Sequence, residues 1–294
     1  MIIRPRVLVF ILATSACAAP KFLAPPPKLD AMPAHVIIAP HGDDEKRFNL
    51  NLQPLDDAKS IIYRQEYGGG GVAVGLMLGA VGVMANRAAI KNETLADVEL
   101  LKNKLPVRPL ALYQDVATEF PELAIPAAHT KAVRIIPEVL VVRTDDEMLL
   151  IGCRLIVNYT SVGRPWIAIY TYQTDLKFPK AEVAQGLNPE QATKLRGQLR
   201  HGFLSLTGLY LDDVKTQPAP GKIVYFKSAF LTPRIMRSMV GQEQKGPGDR
   251  VVLRGRRGVL SFPRASVELS DSGPSNDSAG ASSADSTPGP EAVQ

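Results

Sequence analysis

The sequence predicts an α+β domain: an antiparallel sheet with helices packed on one face, carried between two low-complexity tails. Three observations support this. Residues 133–143, 147–159 and 165–176 are long runs rich in β-branched and aromatic residues, separated by turn-like Thr144-Asp145-Asp146 and Ser161-Val162-Gly163-Arg164. Apolar residues recur at helical spacing on either side of that block, through Ile90, Thr94, Val98, Leu101 and Leu105, and again through Ala192, Leu195, Leu199, Leu206 and Leu209. The flanks have a different composition. Residues 17–34 are rich in Pro and Ala and read as an extended tether, while residues 270–294 are mostly Ser, Gly, Ala, Asp and Pro and read as disordered. The domain is therefore placed at 35–269.

In chain order, the apolar run 36–39 is a first short strand and 60–63 a second. A four-glycine run, Gly68 to Gly71, opens an uncharged segment over 68–85. There Gly71, Gly75 and Gly79 recur every four residues, so on a helix they line one face and admit a close backbone neighbour. The stripe from Ile90 follows, with Lys91, Glu93, Asp97 and Lys102 off it, and Pro106 and Pro109 end it. Leu110, Tyr113, Val116 and Phe120 mark a second, short helix. In the central strand 147–159, Leu149, Ile151, Cys153, Leu155 and Val157 share one face and Arg154 and Asn158 the other, which predicts one buried and one more polar side. Asn188-Pro189-Glu190 then starts a helix, with Asn as cap, Pro in the first turn and an acid favourable there. Further strands are expected within 222–269, at 222–231 and at 250–269, the latter folded near Gly255 or Gly258.

The N-terminus gives an address. Arg4 and Arg6 form a positive start, residues 7–13 a short apolar core, and Thr14-Ser15-Ala16-Cys17 a run of small residues ending in cysteine. The apolar stretch is too short to span a bilayer, so residues 1–16 read as a cleavable signal peptide. This resembles bacterial lipoprotein leaders, and the resemblance implies that Cys17 carries the lipid (palmitate among its acyl chains) and becomes the first mature residue. Ala18 after it implies the outer membrane, on its periplasmic face. The alternative is cleavage after Ala18, leaving a soluble periplasmic or secreted protein. With two cysteines in the chain and Cys17 lipidated or removed, Cys153 has no intrachain partner, so no disulfide stabilises the core. A buried strand thiol is its expected state.

Charge narrows the partners. The net +5 includes the tail's Asp271, Asp277, Asp285 and Glu291, so the folded body is mildly basic. That suits an anionic membrane surface and is too weak to argue for nucleic acid. The basic set Arg234, Arg237, Lys245, Arg250, Arg254, Arg256, Arg257 and Arg264 is either a patch for anionic lipid or a solvated face. Tyr159, Trp166, Tyr170 and Tyr172 are either a ligand surface or packing.

Catalytic signals are sparse. Ala39-Pro40-His41-Gly42-Asp43-Asp44-Glu45 resembles the His-Pro-Asp-Asp-Glu motif of zinc-dependent sugar N-deacetylases, which implies His41 and Asp44 as metal ligands and Asp43 as base. Gly42 replaces the motif's proline, and the later histidines His129 and His201 stand singly, so a solvated acidic turn is the preferred reading, with no metal or other cofactor. The glycine run lacks the Lys-Ser/Thr of a phosphate loop. The element order looks like that of envelope lipoproteins with small sheet-plus-helix domains, and the spaced glycines resemble their glycine-zipper segments. These resemblances imply a non-enzymatic accessory or scaffolding lipoprotein with an envelope protein partner. A zinc hydrolase centred on His41, Asp43 and Asp44 is one alternative, and a glycine-zipper membrane homo-oligomer is the other.

Overall fold

The computed structural model describes residues 20–26, 35–40, 52–65, 91–123, 132–144, 146–159, 166–216, 221–233 and 237–272. Cys17, His41, Asp43, Asp44, His129 and the Gly71, Gly75 and Gly79 series lie outside the described residues.

The chain is α+β. Strands β1 (His35–Ile38), β2 (Leu52–Pro54) and β3 (Ile61–Arg64) precede a helix α1 over 91–101 and α2 (Pro109–Ala117). The long strands β4 (Ala132–Arg143), β5 (Met148–Tyr159) and β6 (Trp166–Pro179) follow. After them come α3 (Lys180–Gln185), α4 (Pro189–Thr216), β7 (Lys222–Lys227), β8 (Met239–Gln244), β9 (Arg250–Arg254), β10 (Gly258–Pro263) and β11 (Glu268–Ser270). Together they form one sheet in the order β11-β7-β8-β9-β10-β6-β5-β4-β3-β2. β1 lies beside β3 along the same edge of β4, pairing with its first residues while β3 pairs with its later ones.

The expectation of a purely antiparallel sheet is corrected: the sheet is mixed. β4, β5 and β6 form an antiparallel meander, but β1 and β3 run parallel to β4, and β10 runs parallel to β6. Hairpin-length links allow only antiparallel neighbours, and parallel ones need a long crossover. Here the crossovers are the stretch holding α1 and α2, and the excursion through α4 and β7–β9.

The half-polar central strand is also corrected. On one face of β5, Leu149, Ile151, Cys153, Leu155 and Val157 are fully buried in a core shared with Leu195, Leu199, Phe203 and Leu206 of α4. The opposite face is covered as well. Leu150 joins Leu140 and Val142 in a second core with Phe226, Phe230, Val251, Leu253 and Phe262. Arg154 is buried there through an ion pair with its cross-strand neighbour Glu138, itself fully buried. Period-2 alternation reads arginine as solvent-facing, whereas a register-matched carboxylate lets it stay inside.

Two local features fix how α4 meets this sheet. Asn188 Oδ1 accepts from the Gln191 backbone N–H at 2.9 Å, and Gln191 Oε1 accepts from the Asn188 N–H at 3.0 Å, a reciprocal cap on the first turn. Gly202 then lets the helix come down on β5: a Cβ there would lie 2.7 Å from Cys153 Sγ. Gly152 has the same role on the other face, since a Cβ would stand 2.4 Å from the Tyr172 carbonyl oxygen and 2.5 Å from Phe230. Gly152→Ala is therefore expected to lower stability by about 1–3 kcal/mol through overpacking. Gly197→Ala on α4, where nothing lies within 4 Å, is expected to raise it by about 0.5–1 kcal/mol. Urea-unfolding midpoints of the two variants check the pair.

Candidate functional site

A cleft of about 580 Å³ opens between α4, the end of β6, the β8–β9 loop and the end of β10. Its floor is set by Arg250 at the start of β9. The Arg250 guanidinium lies over the Tyr172 ring, 3.7 Å from the centroid. Its Nε donates to Ser261 Oγ at 2.9 Å, and its Nη2 donates to the Gln173 and Ser261 carbonyl oxygens at 2.7 and 2.9 Å. Burial draws the Arg250 pKa below its ordinary value, with Tyr172 and Asp175 opposing that pull. Burial likewise pushes the Tyr172 hydroxyl up. This is a cation fixed in place by neutral groups, with no carboxylate within ion-pair distance among the described residues.

The rim supplies the opposite sign. Asp175 on β6 and Asp249 before β9 are exposed in the cleft wall. From α4, His201 stands exposed with its ring edge-on to Tyr172, centroids 6.0 Å apart. Gln198, one turn earlier, has a buried Oε1 with no hydrogen-bond partner. The cleft thus combines a fixed cation with two exposed carboxylates, and Gln198 lines its wall, an arrangement suited to a small polar ligand. Its volume falls within the usual range for such pockets.

The sequence-level candidates scatter. His201 faces this cleft, remote in sequence from the His41 motif. Among the described residues no group of three His, Cys, Asp or Glu is placed to hold a metal ion. Cys153 Sγ is buried beneath α4, 3.9 Å from the Leu199 carbonyl oxygen, and desolvation pushes its thiol up, so it stays protonated as a core group. Tyr159, Tyr170 and Tyr172 are buried, so the aromatic series is packing rather than an open surface. The basic set does not act together. Arg250 and Arg254 turn inward, Arg264 stands 3.7 Å from Glu243, and Arg237, Lys245, Arg256 and Arg257 are exposed. Arg234 lies outside the described residues.

Two buried ionic clusters were not legible in the sequence. In the first, Asp97 of α1 accepts from Tyr63 Oη at 2.6 Å, from Arg143 Nη1 at 2.5 Å and from Lys180 Nζ at 3.0 Å. In the second, Asp213 of α4 accepts from Tyr170 Oη at 2.8 Å and pairs with Arg254, while Tyr210 and Tyr159 share a hydroxyl contact at 2.8 Å. Both clusters join a helix to strand ends.

Among the described residues no helix is long and apolar enough to cross a membrane. Comparison with protein-family models, with characterised proteins and with solved structures finds no match to this chain.

Proposed function

We propose that the protein is a lipid-anchored, non-enzymatic accessory protein of the bacterial envelope, held on the periplasmic face of the outer membrane through Cys17. The observation that carries the reading is the leader: Arg4 and Arg6, the short apolar core over 7–13, and the small residues ending in Cys17. Acyl chains on that residue anchor a protein far more firmly than a soluble end would.

The geometry adds support in two ways. The buried charges are consumed in holding elements together: Asp97 with Arg143 and Asp213 with Arg254 join helices to strands, and Glu138 with Arg154 joins β4 to β5. The core that α4 shares with one face of β5 is consistent with helices gathered on that side. The α4 cleft, with fixed Arg250 and the exposed carboxylates of Asp175 and Asp249, is then the position from which the anchored domain takes a small polar ligand or a partner's polar side chain.

Cys17→Ala tests the anchor. The wild-type chain is expected in the membrane fraction with palmitate incorporated on labelling, and the variant is expected in the soluble fraction without label. Full retention of the variant on membranes, or a wild type that takes up no acyl chain, would overturn the proposal.

A further inference from the structure

Past the leader, the first described residues dock on the domain. The Leu23 backbone N–H donates to the Gly255 carbonyl at 2.9 Å, and the Trp166 indole N–H donates to the Ala24 carbonyl at 3.1 Å. Leu23 packs against the main core and Pro26 is buried. Gly255 belongs to the β9–β10 turn. That turn is closed by the Gly255 N–H on the Gly258 carbonyl at 2.8 Å and is pinned to β6 by the Ile169 N–H on the Arg257 carbonyl at 3.1 Å. Its tip carries Arg256 and Arg257, both exposed, and Lys21 on the docked segment is exposed too.

We propose that Arg256 and Arg257, with Lys21, form a contact for anionic phospholipid headgroups that sets the orientation of the anchored domain. This rests on the reading of Cys17 as the acylated residue. Chain length keeps the contact within reach on that reading. Six residue steps separate Cys17 from Leu23, a reach of about 22 Å even if fully extended. Because Leu23 is bonded to Gly255, the turn is confined to the neighbourhood of the bilayer surface, where a tethered contact has a high effective concentration. The attraction is one of charge, between side-chain cations and the phosphate groups of the leaflet. The other basic residues near the turn do not compete: Arg254 is spent on Asp213, and Arg250 on Tyr172 and backbone carbonyls. Surface cations near an anionic leaflet each strengthen partition about fivefold. Removing two should therefore weaken the contact about twentyfold or more.

The chain's single tryptophan is a built-in reporter, since Trp166 bonds the docked segment beside the turn. Full-length acylated protein is reconstituted into vesicles of phosphatidylethanolamine with phosphatidylglycerol, and into phosphatidylcholine vesicles, each doped with a headgroup-nitroxide lipid. Tryptophan quenching is read together with the mass of the Cys17 peptide. The expected result is strong quenching in the anionic vesicles, suppressed by high salt, lost in Arg256→Ala/Arg257→Ala and kept in Arg256→Lys/Arg257→Lys, with melting temperatures unchanged. Equal quenching in anionic and neutral vesicles, or in wild type and the alanine pair, with Cys17 acylated, overturns the headgroup contact and leaves the anchor standing. A Cys17 peptide without lipid overturns the anchor, and the headgroup contact with it.

Discussion

Replacing Asp97 with alanine is expected to cost the domain about 3–5 kcal/mol, because it removes the carboxylate that neutralises a buried arginine. The Asp97 and Arg143 side chains are each only 6% exposed, and Lys180 is 18% exposed. Their remaining acidic partners, Glu93 and Glu147, are 39% and 52% exposed and so better screened by water than Asp97 is. Without Asp97 the Arg143 charge keeps only these weaker contacts, and the Tyr63 hydroxyl, at the bottom of the cluster, keeps only Gln65 at 3.2 Å. The loss falls on the joint between α1 and the ends of β3, β4 and α3. Burial pushes the Asp97 carboxyl up, but the bonds from Tyr63, Lys180 and Arg143 outweigh it and hold the group below its usual 3.8. A depressed pKa stabilises the fold fully above the unfolded value and loses that stabilisation as pH falls through the folded value. The gap in urea midpoint between wild type and Asp97→Asn should therefore be wide at neutral pH and close below the ordinary carboxylate range. A gap that stays constant on acidification would mean that the carboxylate charge is not what holds the joint.

Local patterning reached the parts of the fold that local chemistry decides. The three central strands fall where β-branched runs and turn residues place them, with β6 continuing to Pro179 beyond the expected end near 176. α4 starts where Asn188-Pro189 starts it. What escaped has a physical reason in each case. β8 reads Met-Val-Gly-Gln-Glu-Gln and its side chains are mostly half-buried, so no alternation announces it, although it lies inside the sheet between β7 and β9. α3 is six residues long and follows β6 without a linker, too short for a helical period to register. Asp97 lies off the apolar stripe of α1 with Lys91 and Glu93, so helical spacing does not mark it as buried. Its buried state depends on Tyr63, Arg143 and Lys180, which lie 34, 46 and 83 residues away. The cleft is illegible for the same reason. Arg250 reaches Tyr172 because β10 pairs in parallel with β6, and no spacing in the sequence encodes that register.

The second large effect is expected at Asp213, again about 3–5 kcal/mol for Asp213→Ala. Its side chain is 7% exposed and that of Arg254 4% exposed, so the pair is dry. Arg254 Nε and Nη1 are buried with no acceptor, which leaves Asp213 as the carboxylate that compensates the guanidinium. Removing Asp213 orphans the whole cation, and the Tyr170 hydroxyl with it. Arg254→Met alone removes the orphaned donors but strands a buried carboxylate that keeps only the Tyr170 hydroxyl. Asp213→Leu with Arg254→Met removes both charges and returns apolar volume to a site already flanked by Tyr170 and Tyr210. A desolvated ion pair with unfilled donors is a poor stabiliser compared with packed apolar side chains, so the double variant should be more stable than Asp213→Ala and than Arg254→Met. Urea unfolding of Asp213→Leu, Arg254→Met and the double variant that combines them measures the coupling, and a double variant whose loss equals the sum of these two singles would show that the groups act independently. The location of the loss gives a second reading. Arg254 precedes Gly255, the residue that holds Leu23, so Asp213→Ala should speed hydrogen exchange at the Leu23 N–H. In the charge-free double variant β9 stays packed, and that exchange should stay slow.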